Sequence, residues 1–261
     1  MTDRPRRLRL PAIALTWLVV GCGSIGWADD GPVAGSVSHM DRSVLLTQER
    51  LGEDGSRSSS ANSGFLVRDG DRVFLVTGAE FAVKTGPSLR VSYRTAAGEA
   101  DSVDLSDVVP AGNRPWSMHA TDDVAVAPLR LEDLPADVAE RLYDLATPLE
   151  EIATDIPERG TPVHLVGFPA LKGVQDGMSA TVWTCVVTTR LITAKGEWGP
   201  VKVFYVAPPA GAGIAGSPVY TLTEAGPRLV GSHSRISMDA TGPKFGRVVP
   251  AASLRSLIPD R

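Results

Sequence analysis

The sequence predicts an all-β protein built as two antiparallel barrels joined by a linker helix. Three observations carry that expectation. Short β-branched and apolar runs recur along most of the 261-residue chain, each bounded by Gly, Asp or Ser clusters. Gly 26 and Pro 20 against 6% aromatic residues favour many short strands and turns, because both residues interrupt regular elements. One acidic segment with helical spacing divides the rest into halves of similar size, and two packed β halves place any site in the cleft between them. A hydrophobic content of 43% is enough to bury a real core.

The first residues read as an export signal. A basic stretch, TDRPRRLR, precedes an apolar run from Leu10 to Val20 that is too short for an ordinary membrane span. Two cleavage readings compete. VVGC (19–22) resembles a lipobox and would leave Cys22 lipidated after removal of 1–21, whereas GWA (26–28) suits ordinary signal cleavage after residue 28. Residues 1–21 carry four Arg and one Asp, so their removal takes the formal charge from -4 to -7. An acidic exported chain is expected in the periplasm or cell envelope, touching a membrane only through a lipid anchor or an uncleaved signal. That charge argues against nucleic acid as a partner.

Residues 29–40 read as a tether. The first barrel is expected over 41–130, with strands at 43–50, 62–69, 72–78, 88–94 and 123–129, and RDGDR between the second and third is a strong hairpin signal. The linker spans 131–159, with a helix at 131–145 starting near Asp133 or Pro135. The second barrel is expected over 160–261, with strands at 161–169, 180–194, 201–207, 217–222, 228–234 and 244–250, then a short helix at 251–258. Cys185 lies in an apolar run and reads as a buried structural thiol; with Cys22 lipidated or removed, no internal disulfide can form.

Several segments, taken in order, resemble the trypsin-like serine peptidases of the chymotrypsin fold, especially their exported bacterial branch. SGFLVRDGDRVFLVTGAEFA resembles the strand, hairpin and strand that lead to that family's histidine. DDVAVAPL resembles the strand carrying its aspartate, and HLVGFP resembles the strand opening its second barrel. VAPPAGAGIAGSPVY resembles the approach to its nucleophile, and LVGSHS the strand that follows. The resemblance covers roughly residues 43–258 and implies two six-stranded antiparallel barrels with a linker helix and a short C-terminal helix.

Carried over position by position, the resemblance implies a degenerate triad: Glu80 at the histidine position, Asp123 at the aspartate position and Ala215 at the nucleophile position. Acyl transfer needs a hydroxyl to attack, an imidazole to move the proton and a carboxylate to orient that imidazole. Alanine offers no attacking lone pair, and losing either Ser or His costs such enzymes on the order of a millionfold in turnover. Ser217 falls two residues past the nucleophile position, where the family tolerates Gly or Ser. The backbone N–H groups of Gly213 and Ala215 could still form an oxyanion-hole-like donor pair, because they do not depend on the serine side chain. Glu80 and Asp123, if brought together, are expected to share a proton, bind a cation or recruit an arginine. His119 and His233 read as surface or satisfied structural histidines. No histidine pair has metal-site spacing and no phosphate loop precedes a helix, so neither metal nor cofactor is expected. The reading is a pseudoprotease that binds peptide or protein ligands; an active hydrolase with another nucleophile and a purely structural domain remain the rivals.

Overall fold

The computed structural model describes residues 37–51, 56–86, 88–109, 115–169, 180–238, 241–242 and 244–260. The expected export signal and Cys22 lie outside them. Fifteen strands and four α-helices follow in chain order. The first half holds β1 (Val44–Leu51), β2 (Arg57–Asp69), β3 (Arg72–Thr77), α1 (Ala79–Ala82), β4 (Leu89–Arg94), β5 (Ala100–Asp104), α2 (Leu105–Val108), β6 (Ser117–Met118), β7 (Ala125–Leu129), α3 (Ala136–Leu145) and β8 (Thr147–Pro148). The second holds β9 (Pro162–Gly167), β10 (Thr181–Val187), β11 (Ile192–Lys195), β12 (Pro200–Ala207), β13 (Pro218–Thr223), β14 (Gly226–Met238), β15 (Lys244–Pro250) and α4 (Ala251–Arg255).

The first sheet runs β5-β4-β1-β2-β3-β7-β6, with β8 alongside β2. Six of its strands have five residues or more; β6 and β8 are two-residue additions. The second sheet runs β10-β9-β13-β14-β15-β12, and β12 pairs back onto β10, so six strands close a ring with β11 attached outside β12. This is the two-barrel trypsin-like architecture that the sequence predicts.

Among the described residues three large hydrophobic cores fill it, with a small fourth cluster at Ala79, Ala82 and Ala125. One lies inside the first barrel, around Leu46, Leu66, Leu75, Val91 and Ala127. One lies inside the second, around Leu165, Phe204, Val206, Val219 and Val248. The third joins the barrels: Phe65, Val67, Phe74, Val76 and Val126 from the first meet Val166, Val203, Tyr220 and Val249 from the second, with Leu254 and Ile258 of the C-terminal segment. Strands β2, β3 and β7 thus bury alternate residues in two different cores. That explains why GFLV, VFLV and VAVA run apolar without alternation. The hairpin at RDGDR closes as expected, with Asp69 paired to Arg72 and Gly70 at φ 63°.

Several element boundaries depart from expectation. The run 180–194 is not one strand. Residues 181–186 of β10 pair with β9; Val186 and Val187 then meet β12, and β11 pairs only with β12. The chain must turn this corner to close the barrel, and Thr188 and Thr189 stitch it to Tyr205. The linker helix starts at Ala136, after a separate 3-10 turn at Leu131–Asp133, because Pro135 disfavours helical geometry at the residue before it. The C-terminal α-helix stops at Arg255, with turn hydrogen bonds continuing to Ile258.

The last residues of the expected tether are docked. His39 sits in a 3-10 turn, His39–Asp41, and its Nε2 lies 3.1 Å from Nδ1 of His164 on β9. The two rings stack with centroids 5.4 Å apart, and Tyr220 of β13 meets His39 edge-on. Burial, then the neighbouring His164 and Arg42, push His39 down to about 4 against the opposing pull of Asp41. Burial also lowers His164. The folded protein therefore favours both rings neutral. Their contribution to stability is complete above the ordinary histidine value of 6.5 and is lost as the pH falls toward about 4. The thermal midpoint is expected to drop across that window, and the double variant His39→Gln, His164→Gln to show a shallower slope. An unchanged slope would contradict the coupling.

Candidate functional site

The site is assembled where strand ends from both barrels converge. β3 ends at Thr77, and Gly78 caps α1, which carries Glu80. Asp123 stands just before β7, the loop 211–217 just before β13, and β14 brings Ser234 and Arg235 at a bulge between His233 and Arg235. Together they line a cleft of about 510 Å³ between the barrels.

The structure places Glu80, Asp123 and Ala215 on the same cleft. Asp123 is buried, and both its oxygens are occupied: Oδ1 accepts the backbone N–H of Glu80 at 2.9 Å and Oδ2 accepts the Ser234 hydroxyl at 2.7 Å. The Glu80 side chain points elsewhere. Oε2 takes Arg235 at 2.9 Å, and Oε1 takes Lys84 at 3.2 Å, one helical turn on. The two carboxylates do not face each other: the Glu80 side chain turns away from Asp123, to Arg235 and Lys84.

The loop that carries Ala215 is held by backbone contacts. The Ala215 carbonyl accepts from Ser63 N–H at 3.0 Å, across the barrel interface. Gly216 N–H donates to the His233 carbonyl, and His233 N–H donates to the Ser217 carbonyl. Gly216 has φ 83°, and a Cβ there would sit 2.2 Å from the Ser63 carbonyl oxygen and 2.6 Å from the Thr77 hydroxyl. Only glycine lets the loop approach the first barrel so closely. Gly213 also has positive φ, at 90°. Among the described residues, neither the Gly213 nor the Ala215 N–H donates to an acceptor, and both residues line the cleft.

The other hydroxyl and imidazole groups have different settings. Ser217 is fully buried against Gly167, where a Cβ would lie 1.9 Å from its Oγ, and it does not line the cleft. His119 Nδ1 accepts from the N–H groups of Thr121 and Asp122, a structural role. His233 departs from expectation: it is neither on the surface nor satisfied. It is 1% exposed, neither ring nitrogen reaches hydrogen-bonding geometry, and burial pushes it down to about 4 against a smaller opposing pull from the Ile214 carbonyl. Cys185 is buried as expected; burial raises its thiol to about 11, and the thiol donates to the Pro208 carbonyl. Among the described residues no group of three His, Cys, Asp or Glu side chains could hold a metal ion.

Three contributors escape sequence reasoning. Asp122 is 2% exposed and ties the barrels: Oδ1 accepts from Lys202 N–H of β12 at 3.1 Å, and Oδ2 from Ser253 of α4 at 2.5 Å. Its only signal is adjacency to Asp123. Ser63 and Arg235 carry no motif of their own, because each acts on a partner more than a hundred residues away.

No family model and no curated protein matches this chain. Solved structures do. The Rv3671c protease of M. tuberculosis in its active form is 17% identical with a TM-score of 0.54, covering 84% of this chain and 80% of that one. Its inactive form is 17% identical with a TM-score of 0.52, covering 84% and 88%. A Ser-to-Ala mutant in an inactive form gives 17% and 0.52, covering 84% and 85%. The chain has the fold of these proteases over most of its length. No helix among the described residues is long and apolar enough to cross a membrane.

Two substitutions test the assembly. Gly216→Ala is expected to destabilise the protein by on the order of 3 kcal/mol, from positive φ and overlap with Ser63. Asp122→Ala is expected to cost about 2 kcal/mol by leaving the Lys202 N–H without its acceptor at the interface. Chemical denaturation would measure both, and a change below about 0.5 kcal/mol, the scatter of ordinary surface substitutions, would contradict the placement.

Proposed function

We propose that this chain is an exported pseudoprotease that binds peptide or protein ligands in its inter-barrel cleft and does not hydrolyse them. One observation carries the reading. Among the described residues the Gly213 and Ala215 N–H groups donate to no acceptor, while the carboxylate at the position expected to orient an imidazole is bound to Ser234 and a backbone amide. The donors can hold a peptide carbonyl, but Ala215 supplies nothing to attack it. Ser217, the nearest substitute, faces the interior. Export rests on the basic and apolar N-terminal pattern, with lipidation at Cys22 one of its two outcomes.

Fluorophosphonate labelling checks the inactive state. The natural protein is expected to remain unlabelled, and the double variant Glu80→His, Ala215→Ser to acquire label at residue 215. Labelling of the natural protein would reveal an activated serine and overturn the reading.

A further inference from the structure

The strongest unexplained feature of the cleft is the ion pair across it. Glu80 belongs to the first barrel and Arg235 to the second, and both side chains are well exposed, at 44% and 36%. An ion pair this open to water contributes little to stability, and water or a ligand can replace either half.

We propose that Arg235 is a receptor for a carboxylate group of the bound peptide, and that Glu80 occupies it as an internal competitor until such a ligand arrives. The proposal rests on the peptide-binding reading above and adds the chemical class of ligand.

The balance of donors and charges supports it. Asp123 is buried with both oxygens engaged, so among the described residues the cleft's solvent-facing charges are Arg235, Lys84 and Glu80, two cations to one anion. Arg247 stands opposite Arg235 on β15, 3% exposed and with no acidic partner within ion-pair distance among the described residues. Its guanidinium is disfavoured first by burial and then by Arg235, so the two arginines repel, against smaller opposing pulls from Tyr205, Asp123 and Asp122. A further anion beside Arg235 relieves that repulsion. The Gly213 and Ala215 N–H groups, which line the same cleft, add donors without acceptors. A carboxylate is acceptor-only and can take two parallel hydrogen bonds from a guanidinium, which matches this excess.

The two ends of the ion pair then have opposite effects, which a merely structural pair would not produce. Removing Glu80 frees the receptor, and removing Arg235 destroys it. Binding would be measured by calorimetry on the full chain and on Glu80→Gln and Arg235→Gln. The probes are N-acetyl-tetraalanine with a free carboxyl end, the same peptide as its C-terminal amide, and an amidated peptide of that length with one internal glutamate. A carboxylate-bearing probe is expected to bind at least tenfold more tightly to Glu80→Gln and at least tenfold more weakly to Arg235→Gln, and more weakly to all proteins at high salt. Preference for the free end or for the internal glutamate assigns the carboxylate to a chain terminus or a side chain; either supports the proposal. Equal binding of the neutral amide, indifferent to both substitutions, would overturn the carboxylate assignment while leaving peptide binding intact. Absence of binding by every probe to all three proteins would overturn both. Matching near-ultraviolet spectra would establish that the variants are folded.

Discussion

Everything at the cleft depends on the approach of one backbone segment to the opposite barrel. Gly216 lies so near Ser63, Thr77 and Gly78 that no side chain fits, and Ser63 N–H clasps the Ala215 carbonyl beside it. That contact fixes where residues 213–215 stand relative to α1 and Asp123. Because the clasp is made of main-chain atoms, it is indifferent to whether residue 215 carries a hydroxyl. The geometry of the loop therefore does not depend on the side chain at residue 215.

The same independence holds around Asp123. A buried carboxylate needs hydrogen bonds to offset its desolvation, and here Glu80 N–H and Ser234 supply them. The space above is closed by side-chain charges, Glu80 with Arg235 and Lys84. Stability is drawn from elsewhere, chiefly the apolar core between the barrels and the buried Asp122 contacts that fasten β12 and α4 to the first barrel.

Much of the architecture was legible because burial leaves a direct trace in composition. GFLV and VFLV lack alternation because one face of each strand fills a barrel and the other fills the interface. The Asp69–Arg72 hairpin was legible because its turn needs residues that tolerate positive φ. The break in 180–194 was not, since β10 and β11 share one apolar, β-branched pattern and differ only in their neighbours. His233 was misread for a related reason: nothing in LVGSHS indicates that the imidazole would be fully buried, with neither ring nitrogen in good hydrogen-bonding geometry among the described residues.

The sequence by itself determined the frame of the site: glycines at 213 and 216, alanine at 215, and carboxylates at 80 and 123. Those are local properties, fixed by which backbone angles and which functional groups a residue type allows. Only the tertiary structure decided that Glu80 turns to Arg235, that Asp123 turns to Ser234, and that Ser217 turns inward. Each of those choices is a competition among partners far apart in the chain, settled by distance and desolvation once the two barrels have packed.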